Sequence, residues 1–138
     1  MPSDPVILTA SANVGMRETY RLIVLKAAAG LTVTLPKATG AGTRLLFAVG
    51  TTLTSNTYVI SRAIAADVMQ GIGWVSFGTT NVNGFIPGAA DNTITMNGTT
   101  CGGYKGDTVE LFDTALNLWS VRLFFQATTS AATPYSTV

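Results

Sequence analysis

Between Thr108 and Phe125 apolar and polar side chains alternate through two runs. Val109 and Leu111 flank Glu110, and Trp119, Val121, Leu123 and Phe125 interleave with Ser120, Arg122 and Phe124. Side chains on a strand have a period of two, so each run lays an apolar row on one face. Lys105-Gly106-Asp107 ahead of them is turn chemistry. The short link from Thr114 to Asn117 predicts a hairpin longer than the tightest type. This hairpin is the expected spine of the domain, with Trp119 near the centre of its core.

The same period recurs elsewhere. Tyr20 to Lys26 is a strand in which Leu22 and Val24 share one face and Ile23 and Leu25 the other, so both faces are expected to be covered. Leu31 to Leu35 alternates strictly with threonine and is closed by Pro36. Thr43 to Val49 carries Leu45, Phe47 and Val49 in one row, and Tyr58 to Ile60 reads as its return in a long-looped hairpin. Val68 to Phe77 is a further strand, where Gly71 and Gly73 imply a bulge or a close backbone approach. Thr93 to Met96 alternates again, and Asn97-Gly98 is a tight-turn signal. Arg62 to Asp67 fits a short helical turn. Gly78 to Asp91 reads as the longest irregular region, with the apolar pair Phe85 and Ile86 on it either folded under or forming a contact site.

Residues 1–18 have no steady period and read as an extended N-terminal arm. Residues 127–138 are uncharged, with Tyr135 the only large side chain, and read as a second arm. Such arms need a partner to tie them down. Gly-Thr-Thr recurs from Gly50, Gly78 and Gly98, always at turns, which is recurrent turn chemistry and not a solenoid. About seven or eight short strands without helical periodicity predict an all-β, single-domain antiparallel β-sandwich or barrel over residues 19–126.

The chain has 138 residues, of which 47% are hydrophobic and only 11% charged. One domain is the prior for this length, and globular chains carry about 25% charged residues. A surface so poor in ions is expected to meet other protein, in an oligomer or a larger assembly. The formal net charge is +1 with no cluster of Lys or Arg, which argues against nucleic-acid binding. No apolar run reaches membrane-span length, and the start lacks the basic and apolar segments of a signal peptide. The chain is therefore expected to be made and kept inside the producing cell, at least initially.

There is no histidine, so the commonest general base and metal ligand is missing. Cys101 has neither a second cysteine nor a histidine to work with; a buried or bystander thiol is expected. Asp107 and Glu110 fall on opposite strand faces and make a poor acid–base pair. Asp107 with Asp113 across the hairpin lacks calcium-loop spacing. Asn97-Gly-Thr99 matches a glycosylation acceptor but is more simply a turn. Trp74, Tyr104 and Trp119 suggest either a sugar-stacking platform or core. No cofactor, metal or catalytic residue is expected, and the chain reads as a structural or binding module, not an enzyme.

A set of motifs sharpens this reading. Ala28 to Gly42, Phe47 to Thr52, Thr54 to Ile60, Asp67 to Gly71, Thr93 to Gly98, Gly102 to Asp107, Asn117 to Val121 and Ala132 to Ser136 resemble, in order and spacing, segments of tailed-bacteriophage virion proteins. The resemblance runs from about residue 20 to the C-terminus, is weakest over 78–91, and does not extend to the N-terminal region. It implies a capsid decoration (cement) protein: a homo-oligomer, expected as a trimer, bound to the major capsid protein on the virion surface after synthesis in the host cytoplasm. Neither nucleic acid nor membrane is an expected partner. Leu22, Ile23, Val24, Leu25, Phe85, Ile86, Phe124, Phe125 and Tyr135 are the candidate contacts with other copies or with the shell, and the N-terminal arm is expected to touch the shell. A tail-fibre or baseplate module and a carbohydrate-binding module are the alternatives.

Overall fold

A computed structural model of the chain describes residues 4–15, 18 and 21–138. The strands are β1 (Val6–Leu8), β2 (Ala12–Asn13), β3 (Leu22–Leu25), β4 (Leu31–Thr34), β5 (Arg44–Val49), β6 (Tyr58–Ser61), β7 (Val68–Phe77), β8 (Asn81–Phe85), β9 (Thr93–Met96), β10 (Thr108–Ala115), β11 (Leu118–Ala127) and β12 (Tyr135–Ser136). A seven-stranded sheet has the order β1-β3-β5-β10-β11-β7-β8, and a five-stranded sheet the order β12-β9-β6-β4-β2. The fold is all-β and sandwich-like. Tyr20, where the third strand was expected to begin, lies outside the described residues.

The sheets are mixed, not antiparallel. In the first half the chain steps between sheets at every strand. So β1, β3 and β5 run parallel in one sheet, while β2, β4 and β6 run parallel in the other. Parallel neighbours need a crossover, and here each crossover contains a strand of the opposite sheet. The result is a short coil of solenoid character without a sequence repeat. Its successive turns begin at Val6, Leu22 and Arg44, so their lengths differ and no fixed period marks them. The expected hairpin of β5 with β6 is overturned for the same reason: residues 50–57 cross the sandwich. Tyr58 pins that crossing. Its hydroxyl donates to the Thr51 carbonyl at 2.7 Å and accepts from the Ala27 N–H at 3.1 Å.

The β10–β11 hairpin is present and central to its sheet, with a bulge between Asp113 and Ala115. Its inward row, Val109, Leu111, Trp119, Val121, Leu123 and Phe125, is buried against Leu31, Val33, Ile60, Ile94 and Met96 of the facing sheet and its approach. Both terminal segments are extended and tied to sheet edges. β1 and β2 each add an edge strand, Val14 is buried, and β12 pairs with β9. The N-terminal segment is thus a constituent of both sheets.

β7 runs alongside β11 without a register shift, so its glycines mark close approach and not a bulge. A Cβ on Gly71 would lie 2.0 Å from the Val121 carbonyl oxygen, at φ +139°. Backbone cannot yield there as a side-chain tip can. Gly71→Ala is expected to cost about 1–3 kcal/mol through strain, read as a lower urea midpoint. The helical turn expected over 62–67 is a non-helical turn, and the supposed irregular region contains β8.

Three carboxylates are buried, and each holds a turn. Asp113 accepts from the N–H groups of Thr39 (3.0 Å) and Gly40 (2.6 Å), and Asp67 from that of Ala38. Asp107 accepts from the Tyr104 N–H at 3.1 Å and the Gln126 amide at 2.9 Å. Burial pushes the Asp107 carboxyl above its ordinary range, against those hydrogen bonds. A raised folded-state value means the folded chain holds this proton more tightly than the unfolded one. The favourable contribution is complete below the unfolded value of about 3.9 and is lost as the pH rises through the folded value. Asp107→Asn, uncharged and still an acceptor, is therefore expected to gain on wild type as the pH rises from about 4 towards neutrality. Urea midpoints of both proteins across that interval check the sign.

Candidate interaction surface

The two outer faces of the sandwich differ in kind. On the five-stranded sheet Thr32, Val59 and Thr95 form one row, and Thr34, Ser61, Thr93 and Ser136 another. Thr93 is itself buried and donates to the Asn92 side-chain oxygen at 3.1 Å, and the other hydroxyls on the face are partly or fully open to water. On the seven-stranded sheet the register lays Ile7, Val24, Ala48, Thr108, Phe124, Trp74 and Gly84 side by side across all seven strands. The next row is Leu22, Leu46, Glu110, Arg122 and Ile72, and beyond it lie Arg44, Phe112, Ser120 and Gln70. This face is mainly apolar, and among the described residues no element lies over it.

Phe124 is 55% exposed and Trp74 41%, and they are adjacent in register. Large apolar groups at that exposure, contiguous over a sheet, mark an interaction surface more than scattered ones do. Trp74 is held in place by its neighbour: a Cβ on Gly84 would come within 3.3 Å of the indole Cζ3. The bare backbone at Gly84 therefore leaves the ring room to lie against β8. Rows of seven, five and four positions, each position taking about 4.8 Å by 7 Å, give a face on the order of 500 Å². A standard interface buries roughly 800 Å² per partner, so the face supplies most of one.

Charge on this face is sparse and unevenly used. Arg44 meets Glu110 at 2.6 Å and its guanidinium lies 5.9 Å from the Phe112 ring centroid. Arg122 is in register with Glu110, yet it makes no ion pair or hydrogen bond among the described residues. Leu46, Thr108, Glu110, Arg122 and Phe124 line a shallow depression of about 180 Å³. Sites for drug-sized ligands run to about 300–1,000 Å³; this one has room for a side chain.

The expected contact residues separate by strand face. Leu22, Val24 and Phe124 lie on the outer face. Ile86, 77% exposed, follows β8, and Phe85 is half-buried against the core. Ile23, Leu25, Phe125 and Tyr135 fill the chain's own core, so the expectation that they reach other subunits is corrected. Leu22 to Leu25 has one covered face and one largely open face. Ile7, Leu46, Ile72, Trp74 and Phe112 were missed. Their signal was available: each alternates with an inward position in its strand. The aromatic trio does not form a platform, because Trp119 is core and Tyr104 sits in the turn before β10. Asp107 and Asp113 stand at opposite ends of β10, roughly 20 Å apart. Cys101 is buried, its thiol donates to the Thr95 carbonyl at 3.3 Å, and burial pushes its pKa up, all of which disfavour the reactive thiolate.

Both edges of the seven-stranded sheet, β1 and β8, are free of charged residues. Such edges are templates for further strand pairing unless blocked. Following the pairings across the sheet, β8 runs opposite to β1. No protein-family model, no curated protein and no solved structure matches this chain.

Proposed function

We propose that the chain is a bacteriophage head decoration (cement) protein, a non-enzymatic homotrimer that binds the outer surface of the capsid and stabilises the mature shell. The observation that carries this reading is the uncovered apolar face of the seven-stranded sheet, with Trp74 and Phe124 exposed side by side on adjacent strands. The motif resemblance to virion proteins supports the setting. Binding that favours the mature shell stabilises it by mass action, so the role needs buried surface and no reacting group. The free edges suit the oligomer: β8 of one copy against β1 of the next would extend the sheet antiparallel, and a head-to-tail contact of that kind closes into a ring when the rotation allows.

Light scattering on the purified protein is expected to give three times the 14.4 kDa protomer mass. Electron microscopy of intact particles, with the chain labelled, is expected to place it over the head. Label on the tail would favour a tail-fibre or baseplate module, and a monomer that binds only glycans would favour a carbohydrate-binding module.

A further inference from the structure

We propose that the outer face of the seven-stranded sheet is completed by a different protein that presents a carboxylate among apolar side chains, and that this carboxylate enters the depression beside Phe124 to pair with Arg122. The inference rests on the assembly reading above and names the chemistry of its partner.

The argument is electrostatic. Glu110 is the only acidic side chain in the three rows of the face, and Arg44 holds it at 2.6 Å. Arg122 stands across the strand pair from Glu110 without an ion pair or hydrogen bond among the described residues. In water that guanidinium is solvated at no cost. Sealed under an apolar partner it would be a buried, unpaired charge, among the most expensive arrangements a protein interface can contain. Whatever covers Phe124, two residues along the same strand, and Ile72, the register neighbour on β7, must also satisfy Arg122. The planar fork of the guanidinium suits a carboxylate, which it can bind through two parallel N–H groups.

A second copy of the chain docked face to face cannot supply that anion. Each copy brings two guanidiniums and one carboxylate, and the carboxylate is already engaged within its own chain. The closed layer would hold a net charge of two positives. Copies are therefore expected to meet elsewhere, at the sheet edges, leaving this face for the shell. The size of the depression is compatible: about 180 Å³ has room for an Asp or Glu side chain.

The test uses the full chain and virus particles prepared without it. Wild type, Arg122→Lys, Arg122→Met, Arg122→Glu and Phe124→Ser are titrated onto those particles, and bound copies are counted by gel densitometry. Arg122 is exposed, so its variants are expected to keep the wild-type melting temperature, measured alongside. The expected result is a loss of at least about tenfold in affinity for Arg122→Met and about a hundredfold for Arg122→Glu, losses in the range seen for broken charge pairs at interfaces. Arg122→Lys is expected to keep part of the binding. Methionine is the informative variant, since it fills the same space without charge. If Arg122→Met binds as tightly as wild type while Phe124→Ser does not, the face is used and the carboxylate pairing is wrong. If Phe124→Ser binds like wild type, the face is not the docking surface and the pairing falls with it. If wild type itself does not bind, the decoration reading and this inference both fail.

Discussion

Trp119→Ala is expected to destabilise the chain by about 3–5 kcal/mol, a fall in melting temperature of roughly 10–17 °C for a domain of this size. Trp119 is 1% exposed. It lies in register with Asp113 on one side and Met69 on the other, in the central hairpin of the larger sheet. Truncation would open a cavity between strands joined by long ladders, which leaves the walls little freedom to collapse. The indole N–H has no hydrogen-bond partner among the described residues, so the residue contributes through volume and area. Trp119→Phe should therefore cost much less than alanine. Equal losses for the two variants, in thermal or urea unfolding, would show that the site depends on something other than filled space.

The second large effect is on association. Trp74→Ala and Phe124→Ala are each expected to weaken binding to the shell by about 2 kcal/mol or more, roughly thirtyfold, as aromatic anchors do, and neither should lower the melting temperature appreciably. The two side chains touch the same part of the face, so the double variant is expected to lose less than the product of the single losses. Titration onto particles lacking the chain, with unfolding curves in parallel, separates the two consequences. A stability loss as large as that of Trp119→Ala would mean that these aromatics belong to the fold and not to a docking surface.

Much of the strand content was readable from the period of two. Leu45, Phe47 and Val49, or Trp119, Val121, Leu123 and Phe125, are inward rows in both the sequence and the structure. Alternation reports which face a side chain takes, and that is a local property of an extended backbone. It does not report which strand lies alongside. The β5–β6 hairpin was a reasonable reading of two alternating runs joined by a polar loop, yet the loop carries the chain to the other sheet. β8 was hidden because Asn81, Asn83 and Gly84 are poor strand formers, and pairing with β7 overrides that preference. The N-terminal segment lacked a period because β1 and β2 are too short to display one.

The candidate surface followed the same division. Phe124, Leu22 and Val24 were legible as apolar positions opposite the core row. Ile23, Leu25, Phe125 and Tyr135 looked equally suitable until the sandwich closed over them. The amino-acid order was sufficient to establish an all-β chain with few charges, no histidine and alternating rows able to line a core. Assembly of the two sheets settled which rows meet inside, and left one outer face hydroxylated and the other apolar, with Arg122 unpaired among the described residues. Strand order and register arise from contacts far apart in sequence, where many pairings satisfy the same local alternation and only their joint packing selects among them.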